Sequence, residues 1–181
     1  MSELSSKAKQ SPSLKARALR LLSSREYSRK GLATKLEESM ARSMKKDPAA
    51  NDAAPKITAN EITKQIEAVL DDFEARGWLS DERFAEALVR RRSERYGTRR
   101  IQEELIKAGV DGVKTVGLLQ GLRETERERA QELWQRKFGA LAQDQKERAR
   151  QYRFLASKGF SADVVSKIVG CLLYTSDAAD E

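Results

Sequence analysis

The stretch GWLSDERFAEALVRRRSERYGTRRIQEELIKAGV, residues 77–110, decides how this chain folds. It opens on a glycine turn, Gly77-Trp78, followed by Ser80-Asp81-Glu82. That triplet offers a cap and two carboxylates where a helix N-terminus carries positive partial charge. Phe84, Leu88 and Val89 follow at helical spacing, giving a helix from near Asp81 one narrow apolar stripe. Tyr96-Gly97 interrupts the pattern, and Ile101 and Leu105 mark a second helix that ends at Gly109-Val110. A strand would need β-branched alternation between turn signals. Nothing in the chain supplies a convincing case.

Outward from this stretch the chain resembles itself. Phe73-x-x-x-Gly77-Trp78, Leu105-x-x-x-Gly109-Val110 and Leu155-x-x-x-Gly159-Phe160 share one grammar: a helix ends, a glycine turns, an apolar residue tucks back. Upstream, Tyr27-x4-Leu32-x3-Leu36 matches Tyr96-x4-Ile101-x3-Leu105, and Ala18-Leu19 precedes Tyr27 as Ala87-Leu88 precedes Tyr96. Ala130 stands eight residues before Phe138, the aromatic of the third copy. The spacing between turn glycines is irregular, 32 and then 50 residues, as loop insertions would make it. The expected fold is all-α, an elongated tandem array of three small three-helix repeats over 14–79, 80–122 and 123–170. A unit of about 45 residues is near the lower limit for independent folding, so neighbours must bury surface against each other. One irregular helical bundle is the competing reading at this point.

Three segments stand outside the repeats. Residues 1–13, Ser- and Lys-rich up to Pro12, read as a disordered arm. Residues 39–56, with Pro48 and Pro55, read as a mobile loop inside the first repeat. Residues 171–181, CLLYTSDAADE, continue no helical pattern and resemble the translation of a sequencing-library adapter, which would put the native C-terminus out of view. Elsewhere helix boundaries are legible. Thr58-Ala-Asn-Glu61 has capping-box spacing ahead of Ile62, Ile66, Val69, Leu70 and Phe73. Gly77, Gly97, Gly109, Gly139 and Gly159 mark helix ends, with positive φ wherever they follow the last helical residue.

Composition excludes whole classes of function. Among 181 residues there are 35 Lys and Arg against 28 Asp and Glu, no His, one Cys and three Pro, for a formal charge of +7. Without histidine there is no imidazole base, no Ser-His-Asp triad and no His-containing metal site. One cysteine makes no internal disulfide and no Cys₄ zinc site. No phosphate loop of Walker or Rossmann spacing occurs. No apolar run approaches bilayer length, and the first residues lack the hydrophobic region of a signal peptide. The expectation is a cytoplasmic, non-enzymatic protein without cofactor or metal. Its apolar share of 39% and charged share of 35% suit thin elements with charged backs rather than a large round core.

The densest basic segment holds Arg83, Arg90, Arg91, Arg92, Arg95, Arg99 and Arg100 against Glu86 and Glu94. A face of guanidiniums repels itself unless something anionic meets it, and phosphates or a carboxylate-rich surface would suit their planar donor forks. The bland alternative is a solvated helix back tied by Glu86 to Arg90. A weaker stripe, Lys15, Arg17, Arg20, Arg25, Arg29 and Lys30, decorates the first repeat. From Arg123 to Arg150 acids and arginines alternate almost evenly, which reads as an exposed helix surface. The aromatics, including Trp78, Trp134, Tyr152 and Phe160, fall on apolar stripes and read as core. Tyr27, Tyr96, Gly77, Gly109, Gly159, Trp78 and Phe160 are the residues that define the repeat.

The run from Gly77 to Val110, the earlier ALRLLSSREYSRKGLATKL (residues 18–36) and the later KERAR…FLASKGF (residues 146–160) together resemble the RecX regulatory protein family. The resemblance covers about 14–170 apart from 39–56. It implies a non-enzymatic modulator of the RecA recombinase, an elongated three-repeat protein lodged in the groove of the RecA–DNA filament. There it would inhibit recombinase, ATPase and coprotease activity; weak single- or double-stranded DNA binding is a further expectation, and repeats that satisfy one another suggest a monomer. It supplies no residue-level site, so the arginines rest on their own chemistry. The alternative is a non-specific helical DNA-binding protein acting through Arg90–Arg100.

Overall fold

The computed structural model describes residues 12–46 and 58–170. Among them are nine helices and no strand. They divide into two compact units, one ending at Ser80 and the other beginning at Asp81. The expected arm over 1–11 and the tail over 171–181 lie outside the described residues.

The first unit is built from α1 (Leu14–Leu22), α2 (Arg29–Lys46) and α3 (Ala59–Ala75). Ser13 caps α1 by accepting the Ala16 N–H at 3.2 Å, so it belongs to the helix rather than to the arm. The capping box at the start of α3 is complete. The Thr58 hydroxyl accepts the Glu61 N–H at 3.3 Å, and the Glu61 carboxylate accepts the Thr58 N–H at 2.7 Å. Ala18, Tyr27, Leu32, Leu36, Ile66, Leu70 and Phe73 form the core, joined by Leu79 from beyond the last helix. Each buried aliphatic side chain contributes about 1.5–3 kcal/mol relative to exposure. Across this small core, charges tie the helices. Arg29 on α2 donates to Glu67, Asp71 and Glu74 on α3, and Arg17 on α1 reaches the Ser39 carbonyl at 3.2 Å. Burial works against the Arg29 charge, yet its hydrogen bonds with Asp71 and Glu67, with Glu74 beside them, hold its pKa above the ordinary value.

The second unit contains α4 (Asp81–Arg92), α5 (Thr98–Lys107), α6 (Gly112–Glu124), α7 (Glu126–Lys137), α8 (Gln145–Ser157) and α9 (Ala162–Gly170). It holds two hydrophobic clusters rather than one. Ala85, Leu88, Ile101, Leu105, Val110, Leu119 and Leu122 fill the first, from α4–α6. Ala130, Trp134, Leu155, Phe160, Val165, Ile168 and Val169 fill the second, from α7–α9. The indole N–H of Trp134 donates to the Gln151 side-chain oxygen at 2.9 Å, and the Gln151 amide donates to the Ala140 carbonyl at 3.2 Å, so both buried polar groups are satisfied.

Four details differ from the sequence reading. The loop expected over 39–56 begins later, because α2 runs on to Lys46. Residues 39–46 contain no Gly or Pro, and Arg17 holds Ser39 and Ser43 against α1. Gly97 starts a helix instead of ending one: it is the N-cap of α5 with φ −73°. Gly77, Gly109, Gly139 and Gly159 do take positive φ, from 68° to 86°. The three-way glycine grammar is also out of register, since Gly77 follows α3, the third helix of its set, whereas Gly109 and Gly159 follow second helices. Accordingly Trp78 does not tuck back. It is 46% exposed, edge-on to Phe73 at 5.3 Å and beneath Arg76, while Leu79 takes the buried place. Tyr152, also assigned to the core, is 37% exposed.

Thr58→Ala should lower stability by about 1 kcal/mol, measured by urea unfolding at neutral pH. The backbone N–H and hydroxyl of Thr58 hold the Glu61 carboxyl below its ordinary pKa. A depressed carboxylate contributes stability above its unfolded-state pKa and loses it as pH falls through the folded-state one. The difference between the two proteins should therefore shrink as unfolding is repeated below the ordinary carboxylate range.

Candidate functional site

The basic segment follows from how α4 ends. Asp81 and Glu82 occupy the first turn of α4, and Arg90, Arg91 and Arg92 the last, each sign where the helix dipole favours it. Ala85 and Leu88 face the core, which leaves the arginines on the remaining arc. Arg95 lies in the turn that follows, and Arg99 and Arg100 begin α5.

The structure splits the seven predicted arginines. Arg92 donates to Glu104 at 3.0 Å and lies 5.4 Å from the Tyr96 ring. Arg100 lies 4.6 Å from the same ring, and the Lys158 ammonium 5.5 Å. Three cations within about 6 Å of one ring centroid are attracted by the negative face of that ring. Arg99 and Arg100 also make long hydrogen bonds, 3.5 and 3.4 Å, to the carbonyls of Ala156 and Ser157 at the end of α8. Arg83 is half-buried and engaged within the fold. By contrast Arg90, Arg91 and Arg95 are exposed, and among the described residues their side chains make no ion pair or hydrogen bond. The expected tie from Glu86 to Arg90 is not formed. Three neighbouring guanidiniums thus remain with all their donors facing water, able to meet phosphate or carboxylate oxygens.

Beneath them lies a seam that sequence reasoning missed. The Gly97 N–H donates to the Lys158 carbonyl at 3.0 Å, so two turns meet backbone to backbone. A Cβ on Gly97 would lie 2.2 Å from the Gly159 carbonyl oxygen. Arg129 on α7 donates to the carbonyls of Ser93 and Tyr96, each at 2.8 Å, and to that of Leu122 at 2.6 Å. Burial pushes the Arg129 pKa down, while nearby Glu126 works the other way. Glu126 is buried and accepts the Thr98 N–H at 2.8 Å. Arg136 adds a bond to the Glu94 carbonyl at 3.0 Å. In the sequence these residues belong to an even mixture of Glu and Arg. One signal was available: Glu126 stands in register with Ala130 and Trp134, the buried edge of α7.

Among the described residues, no group of three or more acids or cysteines is placed to hold a metal ion. No described helix is long and apolar enough to cross a membrane.

Comparison with known proteins fits this pattern. Residues 80–113 match the family model for the second three-helix domain of RecX, and residues 124–169 that for the third. The chain is 46% identical over 157 residues to the regulatory protein RecX of Leptothrix cholodnii, covering 87% of each. The chain belongs to the RecX family. It is also 40% identical over 158 residues to the regulatory protein RecX of Ralstonia pickettii, covering 87% of this chain and 86% of that one. The crystal structure of RecX from Lactobacillus salivarius superposes with a TM-score of 0.61 at 19% identity, over 88% of this chain and 94% of that one. At that identity the likeness establishes the fold: tandem three-helix domains, all-α.

The seam makes two RecX domains depend on each other, and this can be measured. Arg129→Met keeps the aliphatic stem and leaves three carbonyls unpaired. It should lower stability by about 2 kcal/mol or more in urea unfolding. Lys137→Met, an exposed change on the same helix, should stay within about 0.5 kcal/mol.

Proposed function

We propose that this protein binds the RecA–DNA filament and restrains RecA's recombinase, ATPase and coprotease activities. It does so as a non-enzymatic, cytoplasmic monomer built of helical repeats. The observation that carries the reading is membership of the RecX family across nearly the whole chain. The physical chemistry of the site supports it. A basic body is drawn to a polymer rich in DNA phosphates and acidic protein surface, and the attraction raises the encounter rate. Arg90, Arg91 and Arg95 supply the contact, because no internal partner has to be broken for them to bind.

The experiment is RecA-promoted strand exchange and ATP hydrolysis with substoichiometric protein, beside DNA binding without RecA. The expected result is inhibition at low molar ratio. Tight DNA binding with RecA turnover untouched would replace the reading with that of a plain DNA-binding protein. Arg90→Glu combined with Arg91→Glu and Arg95→Glu should weaken inhibition while thermal stability stays within about 1 kcal/mol, as for surface changes. A triple variant that inhibits fully removes this face from the mechanism.

A further inference from the structure

Between α1 and α2 the first unit leaves a groove of about 540 Å³. It exists because the facing stripes carry small side chains, Ala16 on one helix and Ser39 on the other, with Leu21 half-buried beside them. Longer residues on the same stripes form the walls: Arg17 and Arg20 from α1, Lys35 and Arg42 from α2. Steps of three and four residues keep each set on one side of its helix. Among the described residues no acid lines the groove. Its volume falls in the range of about 300–1,000 Å³ that suits small molecules.

Lys35 is neutralised by Glu38, 2.8 Å away. The three arginines are not. Arg17 is half-buried, and its guanidinium bonds only to neutral groups. These are the carbonyls of Pro12 at 2.9 Å and Ser39 at 3.2 Å, the hydroxyls of Ser39 at 3.1 Å and Ser43 at 3.3 Å, and the Met40 sulfur at 3.8 Å. Withdrawing a cation from water without a counter-charge costs free energy, which an anion in the groove would offset. Arg42 donates through Nε to the Glu38 carbonyl at 3.2 Å, and its terminal nitrogens remain. Arg20 is exposed, and among the described residues its side chain makes no ion pair or hydrogen bond.

The occupant follows from shape and charge together. Guanidinium forks accept phosphate oxygens in pairs, while the floor of Ala16 and Leu21 calls for an organic body. Two helices offer no unpaired backbone edge on which an extended acidic peptide could form main-chain bonds. We infer that the α1–α2 groove binds a small phosphorylated organic anion of nucleotide size, with Arg20 and Arg42 on its phosphates. The assignment is independent of the RecA reading, because its test contains neither RecA nor DNA.

The probe is ADP, titrated calorimetrically into the full chain at low salt without magnesium. Saturation at one equivalent is expected. Arg20→Ala with Arg42→Ala should weaken binding at least about tenfold, as loss of charged hydrogen bonds does. Ala16→Phe fills the floor without touching a charge and should weaken it as much. Lys30→Ala with Lys64→Ala removes the same charge from exposed positions outside the groove and should change affinity less than about threefold. Should the double arginine variant melt early, Arg20→Gln alone and Ala16→Phe carry the test. Full binding by those variants, an equal loss in the lysine control, pyrophosphate binding as tightly as ADP, displacement of ADP by an equal concentration of hexaglutamate, or no saturable ADP binding overturns the assignment.

Discussion

Backbone contact at Gly97 and Gly159 is the constraint on which the second unit depends. Two turns approach so closely that a side-chain carbon on either would meet main-chain or Cβ atoms of the other at 2.2–2.6 Å. Close approach has an electrostatic consequence, because the carbonyls of Ser93 and Tyr96, just past the end of α4, are then partly withdrawn from bulk water. Arg129 from α7 supplies the donors there, while Arg136 from α7 and Arg99 and Arg100 from α5 add exposed bonds around it. A buried carbonyl left unpaired costs about 1–3 kcal/mol, so this arrangement of glycines requires Arg129. The two hydrophobic clusters on either side are small, seven buried residues each. Joining them through hydrogen-bonded backbone ties the second unit together without a large core.

The helices themselves were legible because their signals are local. Capping at Thr58 and Glu61, the stripe from Ile62 to Phe73 and the positive-φ glycines each depend on residues within a few positions. What failed needed knowledge of neighbours in space. Gly97 looks like any helix-ending glycine, and only the facing turn at Gly159 shows that it is there for lack of a Cβ. Trp78 fits an apolar pattern, but Leu79, one residue on, occupies the available space in the core. Ser39–Lys46 read as loop because of the prolines behind them, though nothing within those residues breaks a helix.

The candidate site was legible in composition and illegible in role. Seven arginines stood out, yet a count cannot separate a guanidinium spent on a carbonyl from one left in water. That separation is made by distance to helix ends. Arg99 and Arg100 fall opposite the last carbonyls of α8, and Arg92 falls opposite Glu104, whereas Arg90, Arg91 and Arg95 face no acceptor. The opposite error befell α7 and α8, where an even balance of acids and bases suggested mutual neutralisation. Glu126 instead serves a backbone N–H, and Asp144 and Glu147 serve the start of α8, so their basic neighbours are left over.

The same residue type therefore does two jobs, and the geometry of arginine explains why. Its planar fork can satisfy several carbonyls at once, as Arg129 does with three, and it keeps its charge even where burial opposes it. A lysine ammonium on a flexible stem is more strongly hydrated and gives up charge more readily on burial. The free guanidiniums need the same fork for a different end, since phosphate and carboxylate oxygens accept it in pairs. Internal acceptors are filled first because they are fixed in place and close. Charge that exceeds them is left on the outer arcs of α4 and α8, where the core-facing stripes of those helices leave no alternative. A fold with so little apolar material thus leaves an exposed cationic surface as the remainder of its own construction.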